Sequence, residues 1–141
     1  QHATIRRQRQ MCIRDRLTGA VVVALGHELT GAMGNDDELI NELIESGKRT
    51  SEGVWPLPIL DLHKDEMKGT VGDLRNISGP STGAGSSTGG AFLSYFVSET
   101  SWVHLDIAGS AWGAAQRDYQ GGDKGTGVGV RLLMDYLRST K

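Results

Sequence analysis

Leu17-Thr18-Gly19-Ala20-Val21-Val22-Val23-Ala24-Leu25-Gly26 is the stretch on which the fold class turns. It is β-branched and apolar, and Gly26 closes it. Such a run reads as a strand buried on both faces, and a strand of that kind needs a sheet around it. Downstream, Asp36, Asp37 and Glu38 put negative charge where a helix N-terminus favours it. Leu39, Ile40, Leu43 and Ile44 follow at helical spacing up to Gly47, which predicts a helix over about 36–50.

Trp55-Pro56-Leu57-Pro58 cannot be helix interior, because each proline lacks an amide donor and pushes its predecessor toward extended geometry. It reads as a connecting segment. A short helix is expected around Asp61 to Met67. Residues 76–90 are dominated by Gly, Ser and Thr, after which Ala91, Phe92, Tyr95 and Phe96 suggest a helix with an aromatic face packed inward. Trp102 to Gly109 alternates apolar and polar residues, as a strand with one buried face does. A glycine-rich loop over 113–129 leads to a terminal helix whose apolar face is Val130, Leu132, Leu133, Tyr136 and Leu137. Strands mixed with helices in this order predict an α/β layered domain, and no internal repeat is present.

The length of 141 residues suits one domain or part of one. Twenty glycines, about twice the ordinary share, point to tight turns and close backbone approaches. The net charge of -2 is uneven: residues 1–16 carry Arg6, Arg7, Arg9, Arg14 and Arg16 against Asp15 alone, giving +4 there and -6 over the rest. A mildly acidic body with no basic stripe has no electrostatic footprint for nucleic acid or an anionic membrane. Cys12 is the single cysteine, so an intramolecular disulfide is excluded and the cytoplasm is the expected compartment. The longest wholly apolar run, Ala20–Leu25, is far short of the roughly 20 residues of a membrane helix. The basic head at 1–16 lacks the apolar middle of a signal peptide.

Several groups could carry chemistry. His27-Glu28-Leu29-Thr30-Gly31 begins like a zinc-protease signature, but Gly31 stands where the second histidine must be, so a polar turn is the better reading. The run from Gly79 to Gly90 invites an anion cradle at a helix N-terminus, yet its spacing fits neither Gly-Lys-Ser/Thr nor Gly-x-Gly-x-x-Gly; a close-packed loop capping the next helix is the better reading. Asp61, His63, Asp65 and Glu66 have the elements of a metal cluster, although charges on one short segment are usually a solvated face. His104 and Asp106 share one side of a strand and read as satisfied structural groups. No serine or cysteine nucleophile carries a local signature.

Read together, Leu-Thr-Gly-Ala-Val-Val-Val-Ala-Leu-Gly (17–26), Thr-Gly-Ala-Met-Gly-Asn (30–35), Trp-Pro-Leu-Pro (55–58), Asp-Leu-Arg-Asn-Ile (73–77) and His-Leu-Asp-Ile-Ala-Gly (104–109) resemble the leucyl aminopeptidase family of metallopeptidases. Gly125-Thr126-Gly127-Val128 and the terminal helix resemble that family's closing turn and last helix. The resemblance implies the C-terminal part of the catalytic domain over residues 17–141, an α/β unit with a central mixed β-sheet flanked by helices. It leaves residues 1–16 as a foreign head. It implies hydrolysis of N-terminal apolar residues from peptides by two divalent metal ions, manganese or zinc, in the intact parent. The family's metal ligands lie upstream of the Leu-Thr-Gly-Ala segment, the last in an Asn-Thr-Asp-Ala-Glu-Gly-Arg motif absent from this sequence. No catalytic residue and no metal ligand is therefore expected here, and the chain alone is expected to be inactive.

What the resemblance assigns to this portion is substrate binding. Leu17 and Gly19 match positions whose backbone holds the peptide, while Ile77, Ala108 and Ala111 match positions lining the cleft for the N-terminal side chain. A peptide substrate and, for the parent, a homohexamer are the implied partners, with neither nucleic acid nor membrane. The competing expectations are a catalytically inactive scaffold or oligomerisation module and, third, an anion-binding domain built on the 79–90 loop.

Overall fold

A computed structural model describes residues 19–76, 79, 83–112 and 125–139. Within them lie helix α1 (Ala20–Leu25), strand β1 (Thr30–Gly34), helix α2 (Asp37–Thr50), strand β2 (Val54–Pro56), helix α3 (Asp61–Asp65), helix α4 (Gly85–Ser94), strand β3 (Val103–Asp106) and helix α5 (Val130–Ser139). The strands form one mixed sheet in the order β2-β1-β3, with β2 parallel and β3 antiparallel to the central strand. This is the α/β sheet flanked by helices that the sequence predicts.

The stretch that opens the chain's apolar text is a helix, not a doubly buried strand. Val21 and Leu25, one turn apart, converge on β1: a Cβ added at Gly31 would lie 3.4 Å from Val21 Cγ2 and 3.6 Å from Leu25 Cδ1. Val23, between them in sequence, is 91% exposed. Six apolar residues satisfy both periodicities, so the run itself cannot separate strand from helix, and packing against Gly31 settles the matter. Gly26 then ends the helix at φ 68, its amide donating to the Val22 carbonyl at 2.9 Å.

The segment expected as a plain connection contributes β2. Pro56 is tolerated because β2 lies at an edge, and β1 is reached through the flanking bonds of Thr30 N–H to the Gly53 carbonyl (2.9 Å) and Leu57 N–H to the Ala32 carbonyl (2.8 Å). The predicted helix at 36–50 is α2, whose Asp36 carboxylate accepts from the Leu39 amide at 3.0 Å as an N-cap.

One face of the sheet meets α2 and α5: Ala32, Ile40, Val54 and Leu132 form the buried cluster, with Ile44, Val103 and Leu105 beside it. The buried Glu52 carboxylate secures the start of α5, accepting from the amides of Gly129 (3.0 Å) and Leu132 (2.9 Å) and from Arg131 Nε (3.1 Å). Leu132 is the one fully buried residue of α5, whereas Val130, Leu133 and Leu137 of the predicted apolar face are exposed.

The other face meets α1 and α4. Helix α4 starts at Gly85, inside the segment read as loop, and it buries Ser86, Ser87, Thr88, Gly90 and Ala91. Tyr95 and Phe96 stay outside, with Phe92 and Phe96 edge to face at 5.2 Å. Of the expected inward face, Ala91 is buried and Phe92 half-buried, whereas Tyr95 and Phe96 are exposed. A Cβ at Gly90 would already lie 3.3 Å from Met33 Cβ and from Ile59 Cδ1, so the helix sits too close to the sheet for rings. None of these helices is long and apolar enough to cross a membrane.

Candidate functional site

The end of β3 runs into a tight turn at 107–111. Amides of Ser110 and Ala111 both donate to the Ile107 carbonyl, at 3.1 and 2.8 Å, and the Ala108 amide donates to Asp106 Oδ1 at 3.2 Å. Two other segments hold this turn. His27 Nδ1 donates to the Gly109 carbonyl at 3.0 Å, and a Cβ on Gly109 would strike the Gly26 carbonyl oxygen, so the turn is pressed onto the C-terminus of α1. From the far side Thr126 donates its amide to the Ala111 carbonyl (3.0 Å) and its hydroxyl to the Ser110 carbonyl (2.6 Å). Thr30 and Ser110 share a hydroxyl–hydroxyl bond at 2.9 Å, tying the turn to the central strand.

Ala108 and Ala111 thus share one rigid turn, each half-buried. Gly19 sits at the opposite end of α1, exposed, with no atom of another described residue within 4 Å of where its Cβ would be. Leu17 and Ile77 lie outside the described residues, as do residues 1–16.

A cavity of about 640 Å³ opens between α1 and the start of α4. Val23, Ala24 and Leu57 give it an apolar wall, and Gly85, Ser86 and Ser87 bring the first turn of α4 to its other side. Helix α4 has no side-chain cap, and Ala84 precedes it in the left-handed conformation, φ 46.

Beneath α4 the sheet carries polar residues. His104 pairs with Met33 and Asp106 with Gly31, so both stand on the α1–α4 face. His104 Nε2, Asp106 Oδ2 and Ser86 Oγ are buried with no hydrogen-bond partner among the described residues. The expectation that His104 and Asp106 are satisfied structural groups is thus only half met: Asp106 is bonded through one oxygen, and the second is orphaned. Burial pushes the His104 pKa below its usual value, with the Asp106 carboxylate opposing in part.

The acidic segment at 61–66 is a solvated face with one structural histidine. Asp61 lies 3.7 Å from Lys64 Nζ, and Asp65 lies 2.6 Å from Lys68 Nζ. His63 is buried, and its Nδ1 accepts from the Leu60 amide at 3.1 Å. Among the described residues no three His, Cys, Asp or Glu side chains come together as a metal site. These residues do not fit the metal pair that the resemblance implies.

The sequence profile of the cytosol aminopeptidase family, catalytic domain, matches residues 9–134. The chain belongs to the cytosol aminopeptidase family. Proteins named "Probable cytosol aminopeptidase" are similar to it: that of Geobacter sp. (strain M21) is 49% identical over 86% of this chain and 24% of its own length. The Geobacter sulfurreducens protein is 49% identical over 88% of this chain and 24% of its own. The Neisseria meningitidis protein is 44% identical over 87% and 25%. The chain therefore spans about a quarter of the length of these curated relatives. In this member of the cytosol aminopeptidase family, the buried and unpartnered hydroxyl of Ser86 is not foreshadowed by the sequence. That serine stands in a run of Gly, Ser and Thr without periodicity, and the only signal was the possibility that the run opened a helix.

Proposed function

We propose that this chain is the C-terminal part of the catalytic domain of an aminopeptidase that removes apolar N-terminal residues from peptides. The observation that carries the reading is the family match across residues 9–134. The 107–111 turn supports it: an alanine pair held from both sides is a firm, small-residue wall of the kind that leaves room for a branched substrate side chain. In this reading Leu17 and Gly19 hold the peptide backbone, and Ile77, Ala108 and Ala111 border the side-chain cleft. In the intact parent, two divalent metal ions, manganese or zinc, would be held by residues outside this chain and would supply the Lewis acidity for water activation. The reading carries a homohexamer and a cytoplasmic location with it.

The test is hydrolysis of leucine p-nitroanilide by the intact parent with manganese or zinc, before and after chelation, beside the 141-residue chain. Metal-dependent release by the parent alone is the expected result. Release by the isolated chain contradicts the placement of the ligands elsewhere. A parent that stays inactive with either metal contradicts the aminopeptidase reading.

The second reading, an inactive scaffold or oligomerisation module, draws on the exposed apolar residues of α5, where Val130 is 63% and Leu137 59% accessible.

A further inference from the structure

We propose that Thr126 is a specificity-positioning residue: its hydroxyl fixes Ala111 relative to Ala108 and so sets the width of the cleft that the substrate's N-terminal side chain enters. The cleft itself rests on the aminopeptidase reading. The positioning rests on the hydrogen bonds of the 107–111 turn.

The two alanines of that turn are anchored to different parts of the molecule. Ala108 belongs to the β3 and α1 side. Its amide donates to Asp106 Oδ1 at 3.2 Å, and Gly109 next to it is pressed onto the Gly26 carbonyl and accepts from His27 Nδ1 at 3.0 Å. Ala111 belongs to the segment that leads into α5. Its carbonyl accepts from the Thr126 amide at 3.0 Å, the preceding carbonyl of Ser110 accepts from Thr126 Oγ1 at 2.6 Å, and Trp112 after it forms an antiparallel bridge with Gly125. The bond between the Thr30 and Ser110 hydroxyls ties the turn to β1, but it holds a side chain and not the backbone that carries Ala111.

The Thr126 hydroxyl is itself oriented. The Val128 amide donates to it at 3.3 Å, which leaves its proton for Ser110. The tether also ends on a fixed point, because the amide of Gly129, the next residue, is held by Glu52. A hydroxyl is needed here and not merely a shape: valine fills the same volume but leaves the Ser110 carbonyl without this donor. The consequence for selectivity follows from contact. A leucine side chain has more apolar area to place against the wall than the single methyl of alanine, so a displaced Ala111 penalises leucine first.

Thr126→Val and Thr126→Ser are made in the intact parent, and kcat and KM are measured with leucine p-nitroanilide and alanine p-nitroanilide. Thr126→Val is expected to lower the leucine-over-alanine ratio of kcat/KM by about tenfold, chiefly through KM for the leucine substrate, and Thr126→Ser to restore it. In the 141-residue chain the valine variant is expected to speed hydrogen exchange at the Ala111 amide and to leave the Ala108 amide as it was. A merely structural Thr126 gives an equal loss on both substrates along with a lower melting temperature, and that result overturns the proposal. So does a serine variant as poor as valine, or faster exchange at both alanines together. A wild-type parent inactive on both substrates overturns the aminopeptidase reading and this inference with it, whereas an active parent whose ratio does not move in Thr126→Val overturns this inference alone.

Discussion

At the scale of the residue, Asp106 and His104 show how a strand can be read correctly and its side chains incorrectly. The alternation from Trp102 to Gly109 does place β3, and Val103 and Leu105 do join the apolar cluster. The alternate positions were expected to find partners; instead Nε2 of His104 and one Asp106 oxygen are buried without any. Local pattern reports the period of a strand, not what α1 and α4 lay across its second face. A pH effect follows. Because His104 has its folded pKa below the ordinary value of 6.5, both folded and unfolded chains are neutral there above that value and the contribution to stability is complete. As pH falls through about 6.5, the unfolded chain takes up a proton that the folded chain refuses, and stability drops until the folded pKa is reached. Thermal melts should show a lower transition near pH 5 than near pH 7.5, and His104→Gln should flatten that difference.

Among the elements, β1 is the one the others are measured against, and its glycines set the distances. Gly34 lies so close to β3 that a Cβ would strike the Trp102 carbonyl oxygen, a backbone atom that cannot swing aside. Gly34→Ala should cost about 2–4 kcal/mol in urea denaturation, through separation of β1 from β3 rather than through any φ preference. An unchanged midpoint and slope would show that the two strands part without penalty. Elements with strong local signals were legible from sequence. α2 announces itself through Asp36, two further acids and a 3.6-residue period, and it forms as predicted. α1 and the first half of α4 were not legible, for opposite reasons: α1 is too uniformly apolar to show a period, and the start of α4 buries small polar residues that leave no apolar stripe.

For the molecule as a whole, stretches separated in sequence, 19–26, 30–35, 55–58 and 104–109, gather in space around β1 and the 107–111 turn. Their order carried the family, while their individual conformations did not. Of the candidate site, the resemblance named Ala108 and Ala111 from separate sequence positions, and only the fold shows that one turn carries both. What joins the C-terminal helix to the rest is Glu52. Replacing Glu52 by Ala removes the acceptor of two α5 amides and of Arg131 Nε. It should cost about 2–4 kcal/mol and speed hydrogen exchange in α5 before the sheet. Equal exchange in α5 and β1 would show that the helix is held by Leu132 packing and the Arg49–Asp135 pair instead.

The Glu52 clasp also fixes an order of events on the ribosome. Its partner amide at Leu132 is 80 residues further along the chain, so the acid is synthesised several seconds before the groups that neutralise its burial exist, at roughly 5–20 residues per second. Until then Glu52 must remain hydrated and the α2–β1 surface that α5 covers must remain open. The surface that α5 covers is therefore completed only after α5 itself has been made.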